Sequence, residues 1–104
     1  MNRKERRRQK KNILQNQVNS SLHDAIQLHI KKDFEKAENL YLKIIKNDQT
    51  NYQALRHLGI LYNDTKKYEK AIKYLTDAIN TAPSIPDAHN NLGLVYFVSD
   101  NLAS

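Results

Sequence analysis

The chain has no cysteine among its 104 residues, which excludes a disulfide framework and a thiolate metal site. No apolar run approaches the roughly 20 residues a helix needs to cross a bilayer. The basic start is not followed by the apolar core of a secretory signal, since residues 12–21 include five Asn or Gln. Secretion is therefore not expected, and the cytoplasm is the default. Hydrophobic residues make up only 39 %, below the roughly 45–50 % of globular chains, so the core must be thin. Only two glycines are present, too few for a glycine-rich phosphate loop.

Charge is abundant but segregated. Residues 1–12 carry seven Lys or Arg and one Glu, which equals the net charge of the whole chain, +6. Residues 13–104 carry ten Lys or Arg and ten Asp or Glu. The basic character therefore belongs to an N-terminal tail and not to the remainder. No aromatic residue interleaves those basic residues, which argues against stacking on single-stranded bases.

The residues that usually carry catalysis are present without the spacing catalysis needs. His23, His29, His57 and His89 form no i, i+4 pair with a glutamate between them, as a zinc-protease helix would require. Ser20 and Ser21 lack a nucleophile-elbow context, and Ser21 with Asp24 fits a helix capping box instead. The carboxylates alternate with lysines, as on a solvated helix face. Neither an enzyme nor a cofactor or metal site is expected.

What the sequence does have is a period. Gly59 and Gly93 lie 34 residues apart, within Leu58-Gly59-Ile60-Leu61-Tyr62 and Leu92-Gly93-Leu94-Val95-Tyr96. Both phrases read as helix interior, where glycine costs about 1 kcal/mol relative to alanine, so close packing against each backbone is expected. The same offset links Phe34-Glu35-Lys36-Ala37 to Tyr68-Glu69-Lys70-Ala71, Ile45 to Ile79, Ala54 to Ala88 and Tyr68 to Leu102. A fixed period of this length implies stacked helical units. Hydrophobic spacing predicts helices over about 18–31, 34–46, 52–63, 68–81 and 86–98. The first uses Leu22, Ala25, Ile26 and Ile30, and the second buries Ala37, Leu40, Tyr41, Ile44 and Ile45. Thr50 or Asn51 can cap the third, and Pro86 suits the first turn of the last.

Leu55, Leu58, Gly59, Tyr62, Ala71, Leu75, Ala78 and Pro83 together resemble the tetratricopeptide repeat, a helix–turn–helix unit. The resemblance is strong over 52–85, continues through Leu92, Gly93 and Tyr96 in a truncated unit over 86–104, and weakens over 18–51. There Phe34, Ala37 and Tyr41 match, but Asp24-Ala25 stands where Leu-Gly is usual. It implies an all-α, right-handed helical-hairpin solenoid of about two and a half repeats behind a basic tail, residues 1–17, disordered or helical.

The family's groove-facing positions fall here on Gln53, Arg56, His57, Ile60, Asn63, Asp64, Asp87, Asn90, Asn91, Leu94, Phe97 and Val98. The resemblance thus implies a protein-interaction scaffold that holds a peptide or partner helix on its concave side. Asn90 and Asn91 can bond both backbone N–H and C=O groups, and Ile60, Leu94 and Phe97 offer apolar patches. The lysine–asparagine clamp with which some relatives hold a terminal carboxylate is absent. The asparagine ladder of O-linked sugar transferases keeps one rung, Asn91, with His57 replacing another.

Two other roles are carried as expectations. One is a recognition module at the front of a multidomain transferase. The other is an RNA-associated protein acting through Arg3, Lys4, Arg6, Arg7, Arg8, Lys10 and Lys11. The apolar residues of 86–98 further suggest a continuing solenoid or a homo-oligomer.

Overall fold

The computed structural model describes residues 2–103, apart from the side chains of 11–19, 102 and 103. Among the described residues there are five helices and no strand: α1 (Arg3–Ile30), α2 (Phe34–Asn47), α3 (Tyr52–Asp64), α4 (Tyr68–Thr81) and α5 (Pro86–Ala103). Each packs on the next, while α3 also touches α1 and α5. Short connections make successive helices antiparallel neighbours. The result is an all-α helical-hairpin solenoid of 64 × 30 × 17 Å.

The apolar spacing explains the layers. Ala37, Tyr41 and Ile44 on α2, and Ala71, Leu75 and Ala78 on α4, are the equivalent buried positions of two helices. Central α3 is enclosed from more sides and buries Ala54, Leu55, Leu58, Gly59, Leu61 and Tyr62. Ala25 of α1 is fully buried. It lies 34 residues before Gly59, so alanine takes the small-residue place in the first unit despite its atypical signature. Large side chains with no exposed surface, such as Tyr41, Leu58 and Leu75, each stabilise the stack by about 1.5–3 kcal/mol.

The ends of the helices repeat as well. Lys32 and Lys66 have φ of 66° and 63°. In each case the next residue closes a six-residue loop back to the helix, through Asp33 N–H to Leu28 C=O at 2.9 Å and Lys67 N–H to Tyr62 C=O at 2.7 Å. These are Schellman stops built on lysine instead of the usual glycine. Asn51 caps α3, its Oδ1 accepting from Ala54 N–H at 3.0 Å. The start of α5 is capped from a neighbouring helix, as Ala88 N–H donates to the Tyr52 hydroxyl at 3.1 Å.

Several expectations are corrected. Ser21 and Asp24 do not start a helix, because α1 is already continuous from Arg3, where Asn2 accepts from Glu5 N–H at 2.9 Å. Ile30 is 67 % exposed, since it lies on the open side of α1. Among the described residues, its own stretch of helix aside, nothing lies within 4 Å of where a Cβ on Gly93 would stand, whereas at Gly59 that point is 2.5 Å from Leu75 Cγ. Of the two, Gly59 is the one with a neighbouring helix's side chain packed against it. Helix α5 also runs past residue 98, where the hydrophobic spacing placed its end, and reaches Ala103. The side chains of Lys11, Val18 and Leu102 lie outside the described residues.

Candidate functional site: the concave groove

Side chains of α1, α3 and α5, joined by Tyr41 of α2, form a connected polar chain. At one end, His29 Nε2 lies 2.7 Å from Asp64 Oδ2. A carboxylate only accepts, so Nε2 carries the proton. In neutral His29, Nδ1 is then the acceptor for the Tyr41 hydroxyl at 3.4 Å. The Tyr41 ring stacks on His57, with centroids 6.2 Å apart and planes 8° apart. Arg56 donates from Nη2 to His57 Nε2 at 3.4 Å and from Nη1 to Asn91 Oδ1 at 3.2 Å. The chain Asp64–His29–Tyr41–His57–Arg56–Asn91 thus spans all three repeat units.

The electrostatics match this bonding. Burial, then the Arg56 cation, then His29, lower the His57 pKa from 6.5 to about 4. The imidazole is therefore neutral at physiological pH and its Nε2 stays free to accept from Arg56. Burial pushes the Tyr41 phenol up from 10.0 to about 12, partly opposed by Arg56. Arg56 Nε and Asn63 Oδ1 are buried without a hydrogen-bond partner.

Beside the polar chain opens a pocket of about 650 Å³, lined by Ile26, His29, Ile30, Lys32, Phe34, His57, Ile60 and Asp64. Its walls are mainly apolar, with His29 edge-on to Phe34 at 5.8 Å. One cation, Lys32, and one carboxylate, Asp64, stand at its rim.

The structure divides the expected groove residues into three groups. His57, Ile60 and Asp64 line the pocket. Arg56 and Asn91 are joined by a hydrogen bond. Gln53, Asp87, Asn90, Leu94 and Phe97 are exposed, while Asn63 and Val98 are half-buried. Ile26 stands at one of the positions compared with the carboxylate clamp, whereas His29, Ile30 and Phe34 are not among the expected groove residues. Asn63 and Asp64 lie 34 residues after His29 and Ile30, so the period is a usable signal for those two. Among the described residues no group of His, Cys, Asp and Glu is arranged to hold a metal ion, and no helix is long and apolar enough to cross a membrane.

Paired helices stacked in series, with side chains of α1, α3 and α5 meeting on one face, define a helical-repeat protein. Two family models match: Tetratricopeptide repeat over residues 40–73 and TPR repeat over 61–98. The chain belongs to the tetratricopeptide-repeat family. It is similar to part of Protein O-mannosyl-transferase TMTC3 of Mus musculus, with 30 % identity over 69 residues, 66 % of this chain and 8 % of that protein. The Homo sapiens protein of that name is 27 % identical over 74 residues, 71 % of this chain and 8 % of that protein. The chain thus spans about 8 % of the length of the curated relatives it matches. Among solved structures, an O-GlcNAc transferase mutant of Thermobaculum terrenum superposes with TM-score 0.72 and 26 % identity, over 75 % of this chain and 15 % of that one. The second TPR of Spaghetti (RPAP3), bound to an HSP90 peptide, gives TM-score 0.76 and 24 % identity, over 88 % of this chain and 87 % of that one. That last likeness is one of fold.

Proposed function

We propose that this chain is a non-catalytic recognition module that holds an extended segment of a partner protein along the face formed by α1, α3 and α5. The observation that carries this reading is the coexistence of a fixed polar chain and an open apolar pocket on one face. The polar chain orients Arg56 and Asn91. The pocket accepts one apolar side chain, placed by Ile26, Phe34 and Ile60. The exposed Asn90, Leu94 and Phe97 extend the surface along α5. A peptide-bound tetratricopeptide domain of the same fold and nearly the same extent supports the reading. In this view 18–51, 52–85 and 86–104 are successive units and 1–17 is an appended arm. The matches to proteins named as transferases cover only 8 % and 15 % of those chains, so the alternative of a recognition module at the front of a multidomain transferase is not favoured.

Selection of binders from a random peptide library, followed by fluorescence polarisation, tests the proposal. Ile60→Glu places a charge in the apolar pocket and is expected to weaken the selected peptides at least about tenfold, a loss of about 1.4 kcal/mol. Lys73→Ala, on exposed α4 surface, is expected to leave them unchanged. Peptides that bind Ile60→Glu as well as the parent chain would refute the assignment of the groove.

A further inference from the structure

The first third of α1 is unlike the rest of the molecule. Helix α2 has 14 residues and α1 has 28. An antiparallel α2 can therefore cover only about half of α1. The described residues at its free end, 3–10, extend for about 12 Å at 1.5 Å per residue. Residues 2–10 are exposed along this projection.

The order of its residues gives this arm a face. At about 100° per residue, Arg3, Lys4, Arg6, Arg7, Arg8 and Lys10 fall within an arc of about 200°. Glu5 and Gln9, four residues apart, occupy the opposite side. Residues 13–104 carry ten charges of each sign, so the chain's net positive charge, and with it the long-range attraction for polyanions, is concentrated at this end.

We infer that this arm is a docking site for double-stranded DNA, read through its phosphates and not its base sequence. A bare helix with its side chains is about 10–12 Å across, and the B-form major groove, about 12 Å wide, admits it. Cations spread over a wide arc then reach the phosphates of both walls. Four of the six are arginines, whose planar fork matches phosphate geometry. The alternatives fit less well. Residues 3–10 contain no aromatic side chain to stack on a single strand and no apolar side chain to enter a lipid interface. The major groove of A-form RNA is too narrow for the helix. The site is separate from the concave groove, so DNA and a peptide bind without competing.

The test uses the full chain and a fluorescent 20-base-pair DNA duplex of arbitrary sequence, titrated between 50 and 200 mM salt. If all six cations engage phosphates, the slope of log affinity against log salt is about −5, and affinity falls about a thousandfold over that range. Replacing the six by glutamine, a good helix former, is expected to flatten the slope to near zero and to weaken binding more than about a hundredfold at 50 mM. Circular dichroism of that variant checks that the helices are retained. Several results would overturn the inference: no binding by the parent chain at 50 mM salt, unchanged binding by the glutamine variant, or binding as tight to single-stranded DNA, duplex RNA or phosphatidylserine vesicles.

Discussion

Gly59 and Gly93 occupy the same phrase of successive repeats, yet alanine should act on them with opposite sign. At Gly59 an added Cβ would stand 2.5 Å from Leu75 Cγ, 2.9 Å from Leu75 Cδ2 and 3.4 Å from the Ala71 carbonyl oxygen. Cγ is a branch atom of a fully buried side chain, so it cannot yield without turning Leu75 or moving α4. Overpacking of this kind costs about 1–3 kcal/mol, against a helix-propensity gain of about 1 kcal/mol. Gly59→Ala should therefore lower stability by about 1 kcal/mol net. At Gly93 nothing among the described residues outside its own stretch of helix lies within 4 Å of the new methyl, so the propensity term acts alone and Gly93→Ala should gain about 0.5–1 kcal/mol. Urea unfolding followed by circular dichroism resolves the two, since midpoints move in opposite directions at constant m. A third measurement isolates the cause. With Leu75→Ala already present, Gly59→Ala should turn stabilising, because the obstructing branch is gone. If Gly59→Ala is stabilising in the parent chain, or stays destabilising beside Leu75→Ala, the packing account of this glycine is wrong.

Two further predictions follow from the groove and the turns. His57 takes up its proton near pH 6.5 when unfolded but only near 4 when folded, so the unfolded state binds more protons between those values. Stability should be at its full value above about pH 6.5 and fall as the pH drops toward 4. The whole shift corresponds to about 3 kcal/mol, which solvent screening at a half-open site reduces to about 1 kcal/mol. Urea midpoints at pH 7 and pH 4.5 should separate less in His57→Gln than in the parent chain, and equal separations would show that His57 is not the titrating group. Lys66 holds a left-handed conformation that costs a non-glycine residue about 1 kcal/mol. Lys66→Gly should raise the melting temperature by a few degrees, and a fall would mean that the lysine side chain contributes more than its backbone strain removes.

The fold was legible because one period governs it: hydrophobic positions, turns and small residues all recur at 34. Even the first unit follows the rule once Ala25 is recognised as a substitute for glycine, a matter of side-chain volume that a search for Leu-Gly overlooks. The groove was only half legible, for a geometric reason. Bonds between α1 and α3, and between α3 and α5, join residues displaced from one another in the repeat, not residues in equivalent places. His29 meets Asp64 and Arg56 meets Asn91, both at a separation of 35. The Tyr52 hydroxyl meets Ala88 N–H at 36. Equivalent positions give the framework, whereas these contacts between α1, α3 and α5 fall one or two residues beyond the period. Scanning the sequence at 35 for donor–acceptor pairs would have exposed both ends of the polar chain. It would not have supplied the middle, where Tyr41 enters from α2 and its ring stacks on His57. That contact depends on how far the second helix leans into the groove, which packing sets and no spacing along the chain encodes.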